Sequence, residues 1–443
     1  MTLNSGLRVS RILSLPLCYM AGELLITQIF LVNSHIFGSF LATASISFLC
    51  IGGAIIFIHG CRSKRPTSDE LKLPYTSRAL VIALATLLVF ILPNVGISFF
   101  EPLTQWDARS IWFFHGKAFY FDDHVSIEYL KNPEYLWSHP DYPPLVPLLS
   151  VYHAYFGGGW SEVANKSFLF FHWLALLWLF FLTLGYLNIS CAVSLLCCLI
   201  IQLFFSNNAM VGFADSGWAL AFTIGCVSLL ASFRLQGSGQ SKSAVLFLYN
   251  AFILLAICSL IKLEGCVSAL VLIVSFGLLL FLFNRETLNR FLFLTLLYGF
   301  LVSIWFIFVQ IHGIHGEYAH SIHAVITLGT EMLMVRVSQI VAFILSHLNW
   351  PFWQWTKAII AAAVLLPVLT LVGNSWNTRE RTESLFVSIV ILALCFLLLI
   401  AYLSTPLDLG WHLTTSFPRT ASAIYMLCLV SLGLLCRRKE SAE

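Results

Sequence analysis

The chain has 443 residues, 59% of them hydrophobic and 10% charged, with a formal net charge of +3. Soluble domains run at about 45–50% apolar and about 25% charged, so this composition excludes a soluble fold and describes a polytopic membrane protein. The small positive charge gives no ground for a nucleic-acid partner.

In chain order, twelve apolar stretches predict membrane spans near 12–32, 38–58, 79–98, 166–186, 191–207, 216–233, 244–261, 266–283, 291–311, 357–373, 385–403 and 421–436. Each is close to the ~20 apolar residues that a bilayer needs. The expected fold is therefore all-α, with about twelve transmembrane helices. The first stretch has no clear cleavage site and a second span follows it, so it is expected to remain as a helix. Residues 1–78 would form two extra helices and a basic loop, and 79–443 the core. Within the core, the polar loop 99–165 carries juxtamembrane helices on the outer side. Two further apolar stretches, 143–157 and 334–350, are read as helices lying at the outer interface, helped by Trp350, Phe352, Trp353 and Trp355.

The charges support this topology. With the N-terminus inside, the cytoplasmic segments hold sixteen of the 24 Lys and Arg residues, among them Arg62, Lys64, Arg65, Arg234, Lys242, Arg285, Arg290 and Arg437. Asp107, Asp122, Asp123, Glu128, Glu134, Asp141 and Asp215 fall on the other side. The positive-inside rule then places both termini in the cytoplasm, for a protein of the cell's inner (cytoplasmic) membrane. Most of the twelve cysteines lie in apolar runs such as Cys191 to Cys198 and read as small buried hydrophobes, not as a disulfide or metal framework.

Polar residues on the outer side fall into four clusters. The loop after the third span holds Glu101, Asp107, Arg109, His115 and Lys117, then His139, Asp141 and Tyr142. Asp215 lies in GFADSGW, and Lys262 and Glu264 in the turn IKLEG. The segment STPLDLGWHLTTSFPRT holds Asp408, Trp411, His412 and Arg419. Ionisable groups near hydrocarbon cost about 2.5–3.5 kcal/mol each at mid-span, so charges gathered at helix ends on one side point to a shared polar cavity. His312, His315, His320 and His323 beside Glu317 match no standard zinc spacing and read as solvated histidines.

Each candidate also has a plain structural reading. Asp107 could pair with Arg109, Asp215 could cap a helix, and Lys262 with Glu264 could plug a turn. Arg419 could snorkel to headgroups.

At these residues the chain resembles the GT-C superfamily of membrane glycosyltransferases, which take sugars from polyprenyl-phosphate carriers. The pattern is an acidic residue in a first large outer loop, here Asp107, and a PPL segment opening a juxtamembrane helix, here Tyr142-Pro143-Pro144-Leu145. A second outer acidic residue two spans later is matched by Asp215, and a Lys- and Gly-containing turn by Lys262 to Gly265. The segment TPLDLGWHLTTSFPR is similar to one in bacterial members, and the resemblance covers roughly residues 79–430. It departs in the two extra spans that precede the usual first one.

The resemblance implies an inverting transferase on the outer face, related to the protein mannosyltransferase and aminoarabinose transferase type. Its donor would be a polyprenyl-phosphate-linked sugar, and its acceptor a glycolipid, glycan or protein. Asp107 is the expected base, taking a proton from the acceptor hydroxyl. Arg419, His412 and Lys262 would stabilise the departing lipid phosphate. Arg109, His139, Asp141, Tyr142, Asp215 and Glu264 complete the expected substrate-binding set. A divalent cation, Mg or Mn, could be held between Asp107 and Asp215. A multi-pass transporter or flippase is the alternative, although transporters place charges nearer the midplane and are often built from two repeated halves, which this sequence lacks.

Overall fold

A computed structural model describes residues 9–46, 74–316, 329–347 and 378–437. The predicted span near 357–373, most of that near 38–58, the tryptophans at 350–355, and Glu317, His320 and His323 lie outside them. Every regular element among the described residues is helical. Among the described residues nine helices are long and apolar enough to cross a membrane, or ten if a kinked pair is taken as one span. The protein is thus an all-α polytopic membrane protein, and each predicted span within the described residues falls on a helix.

The first helix is α1 (Val9–Phe37). Next come α2 (Ser77–Ile91) and α3 (Pro93–Phe99), bent by 55° where Pro93 interrupts the backbone ladder. The outer loop folds into a π-helical turn (Ala108–Trp112) that runs into α4 (Phe113–Asp122), the short α5 (Ile127–Lys131) and α6 (Leu145–Phe156). Five spans follow, α7 (Phe168–Tyr186), α8 (Cys191–Met210), α9 (Ala214–Gly237), α10 (Ser241–Ile261) and α11 (Leu263–Phe283). Then come α12 (Arg285–His312), α13 (Thr330–His347), α14 (Thr378–Ser404), α15 (Leu409–Thr420) and α16 (Ser422–Leu435).

The bundle is built around α9, which is buried along nearly its whole length and packs against α7, α8, α10 and α16. Small residues make this approach close. A Cβ on Gly225 would meet Leu255 Cδ2 at 2.9 Å, and the amide of Asn250 on α10 donates to Ser228 Oγ on α9 at 2.9 Å. Both devices suit helices that cannot rely on hydrophobic burial against lipid.

Two expectations change in detail. α6 has 12 residues, about 18 Å at 1.5 Å per residue, and does not cross the membrane. Most of its residues are buried, because it packs against α1 and α4. α13 is mostly exposed and is tied to the end of α14 by Arg336, whose Nη1 donates to the carbonyls of Leu403 and Thr405 at 2.8 and 3.0 Å. The last span also begins earlier than hydropathy suggests. Asp408 accepts from the Trp411 amide at 2.8 Å and caps α15, so Arg419 sits within a helix and not before one.

The first extra helix belongs to the core. α1 packs on α6, α7 and α10, and its buried Glu23 accepts from His172 of α7 at 2.7 Å. Two ionisable side chains in an apolar bundle stay there only when paired, so this contact fixes the register of α1.

The far end of the bundle carries a second network. Glu383 of α14, fully buried, accepts from Arg234 of α9 at 3.2 Å and from Arg437 after α16 at 2.5 Å. Arg437 also lies 3.7 Å from Glu380, so Glu383→Gln weakens the pairing of two buried guanidinium groups without leaving Arg437 alone, a loss of about 3 kcal/mol. We expect this variant to unfold at a markedly lower temperature in detergent than wild type, as read by a thermal melt followed by size-exclusion recovery.

Candidate functional site

Asp107, Asp215, Lys262, Glu264 and Arg419 come from four separate segments and form one ion-pair chain. Arg419 Nη1 donates to Asp107 Oδ2 at 2.6 Å and lies 3.6 Å from Asp215 Oδ2. Lys262 Nζ donates to Asp215 Oδ1 at 2.7 Å and lies 3.1 Å from Glu264 Oε1. The Arg419 guanidinium also stacks over the Phe213 ring at 4.2 Å, and its Nε donates to the Thr415 carbonyl at 3.3 Å.

Local backbone chemistry brings these groups together. Gly212, between α8 and α9, has φ +97°, and a Cβ there would meet Ala108 Cβ at 2.8 Å. Only glycine lets the start of the π-helical turn press against the α8–α9 corner, next to Asp107 on one side and Asp215 on the other. Asp215 does not act as an N-cap. The cap position is Phe213, and Asp215 lies in the first turn of α9, where the helix dipole favours a negative charge. Lys262 sits in an extended break between α10 and α11. The break is tight because a Cβ on Gly265 would fall 2.2 Å from the Cys258 carbonyl oxygen.

Accessibility separates the two carboxylates. The Asp107 side chain is 28% exposed and that of Asp215 is 3%. Asp107 can therefore meet a substrate from solvent, whereas Asp215 lies behind the two cations and holds them in place. Burial opposes a charge on Lys262, but Asp215 and Glu264 outweigh it and hold the ammonium protonated far above neutral pH.

The other expected residues have various settings. His412 Nδ1 is 2.8 Å from Thr405 Oγ1, on the helix that carries Arg419. The His139 ring stacks on Tyr142 at 4.7 Å, and Tyr142 stacks on Trp112 at 5.5 Å, so buried Tyr142 serves as the middle of an aromatic stack. Burial and the nearby Lys262 lower the His139 pKa to about 4 against the pull of Asp107, so its ring is neutral at pH 7. The Asp141 backbone carbonyl accepts from Trp305 at 3.1 Å, and its carboxylate lies against Gly316. Arg109 is exposed and forms no ion pair among the described residues, so Asp107 pairs with Arg419 and not with Arg109, the alternative reading. His115 and Lys117 face the loop's own packing, as shown by the 3.1 Å contact of His115 with Ser138 Oγ and the 3.8 Å pair of Lys117 with Glu162.

Asp107 and Asp215, which could hold a divalent cation between them, both lie against the Arg419 guanidinium. Among the described residues no group of three His, Cys, Asp or Glu side chains is gathered to hold a metal ion. Lys262 and Arg419, held between carboxylates, offer an anion two positive partners.

Several participants were not among the sequence candidates. Phe213 is the ring beneath Arg419, and Thr405 orients His412. Phe213 carried a signal, because it stands two residues before Asp215, whereas Thr405 depends on helix packing. Comparison of the chain with family models, with curated proteins and with solved structures finds no match.

The loop that supports the site is sensitive to acid. Burial, with His139 adding to it, lowers the His115 pKa from 6.5 to about 3. Because its folded-state pKa lies below the unfolded value, the unfolded chain binds more protons between those limits. Stability is then fully present above about pH 6.5 and is lost as pH falls. We expect the unfolding temperature to drop by at least a few degrees between pH 7 and 4.5, and to drop less in His115→Gln.

Proposed function

We propose that the protein is an inverting glycosyltransferase moving a sugar from a polyprenyl-phosphate carrier to a glycolipid, glycan or protein acceptor on the outer face of the membrane. The observation that carries this reading is the ion-pair chain itself. A buried lysine and a partly buried arginine are held at one end of a largely apolar bundle by Asp215, beside a carboxylate that remains partly open. That arrangement suits a substrate with an anionic headgroup and a long apolar tail.

The chemistry follows from the positions. Asp107 takes the proton of the acceptor hydroxyl as that oxygen forms its bond to the anomeric carbon. The bond from the anomeric carbon to the phosphate oxygen breaks on the opposite side, which inverts the centre. The leaving lipid phosphate is a stable anion, and its charge is matched by Arg419, with its bidentate fork, and by Lys262. Arg419 would exchange Asp107 for phosphate oxygens when the donor binds, which frees the carboxylate for the acceptor. Asp215 and Glu264 position the cations, and His412 and His139, held near them in neutral form or by hydrogen bonds, suit contacts to sugar hydroxyls. The resemblance to the GT-C superfamily supports the same reading.

The test is a mass-spectrometric profile of glycolipids and glycans in a deletion strain complemented with wild type or Asp107→Asn, at equal protein abundance. We expect a missing sugar unit to return with wild type and not with the variant, with a loss of at least about 100-fold in transfer. Full restoration by Asp107→Asn would remove Asp107 as the base.

A further inference from the structure

The opposite end of the bundle holds a groove of about 630 Å³ between α10 and α12. Its lining is graded along the helix axes. Ser241, Lys242, Asn289 and Arg290 form the mouth, and Val245, Leu248, Tyr249, Phe293 and Leu294 form the deeper walls. On α10 the lining positions 241, 242, 245, 248 and 249 share one helical face, and Tyr249 lies about 10 Å below Lys242 at 1.5 Å per residue. The two helices run in the same direction and both start at this end, so their positive dipole ends lie near the mouth. Lys242 and Lys262 stand at opposite ends of α10, about 30 Å apart along the axis, which separates the groove from the ion-pair chain.

We propose that this groove binds an anionic phospholipid of the adjoining leaflet, with the phosphate between Lys242 and Arg290 and an acyl chain along Phe293, Leu294, Tyr249 and Val245. Cations above and apolar walls below match the two parts of a lipid in the order a bilayer presents them. The volume suits a partly enclosed chain and headgroup. A soluble anion would use the mouth only and leave the apolar walls without a role. The site is independent of the proposed catalytic reading.

The experiment is native mass spectrometry of the full chain in detergent with phosphatidylglycerol or phosphatidylcholine. Three proteins are compared, wild type, the double variant Lys242→Ala/Arg290→Ala, and Arg285→Ala, which removes a neighbouring exposed cation outside the groove. We expect wild type and Arg285→Ala to retain phosphatidylglycerol about tenfold better than phosphatidylcholine, and the double variant to lose that preference at an unchanged melting temperature. The proposal is overturned if wild type shows no preference, if the double variant keeps it, or if Arg285→Ala loses it equally. Displacement of phosphatidylglycerol by an equal concentration of inorganic phosphate would overturn the lipid assignment.

Discussion

Arg419 is the group on which one end of the molecule depends. Its guanidinium lies between Asp107 and Asp215, over the Phe213 ring, at one end of a largely apolar bundle. A charge in such a place must be paired, and pairing it draws the loop after α3, the start of α9 and the end of α15 toward one point. Lys262 extends the same constraint to the α10–α11 turn. Two cations and three carboxylates give the group a net formal charge of −1, so one carboxylate is free to exchange partners without leaving the cations uncompensated. Asp107, as the exposed one, is best placed for that exchange.

Much of this was legible in the sequence. The spans follow from apolar runs of bilayer length, and the gathering of Asp107, Asp215, Lys262 and Arg419 at one end of the bundle follows from the alternating direction of successive spans. What the sequence could not show is who pairs with whom. Arg109 is two residues from Asp107 and looks like its partner, yet the partner is Arg419, 312 residues away. Helix packing decides such pairings, and periodicity does not report it. The same limit hid the burial of α6. Its apolar face reads equally well as a surface helix at an interface or as an internal one, and only contacts with α1 and α4 distinguish the two. The start of α15 was missed because Thr414, Thr415 and Ser416 lower its hydropathy while leaving it helical.

The two ends of the bundle solve the problem of buried charge differently. At the end of Glu383 the charges are locked, with a fully buried carboxylate between two guanidinium groups and little exposure of any member. At the end of Arg419 the pairs grade from buried Asp215 to half-open Asp107 and Glu264. The first pattern fixes helix ends and the second leaves an addressable surface. α1 joins them by a third route, a neutral or ionic pair of Glu23 with His172 that docks an additional helix on the core.

The most direct test of the central claim, that Arg419 and Asp107 form a phosphate-binding and proton-accepting pair, is the affinity of the purified protein for a polyprenyl monophosphate. The account predicts that wild type binds it and that Asp107→Asn binds at least as tightly, because the cation is released from its carboxylate. Arg419→Gln should lose about tenfold or more, and Arg419→Lys less, at preserved melting temperature. Equal binding by wild type and a folded Arg419→Gln, or no binding by wild type, would contradict it.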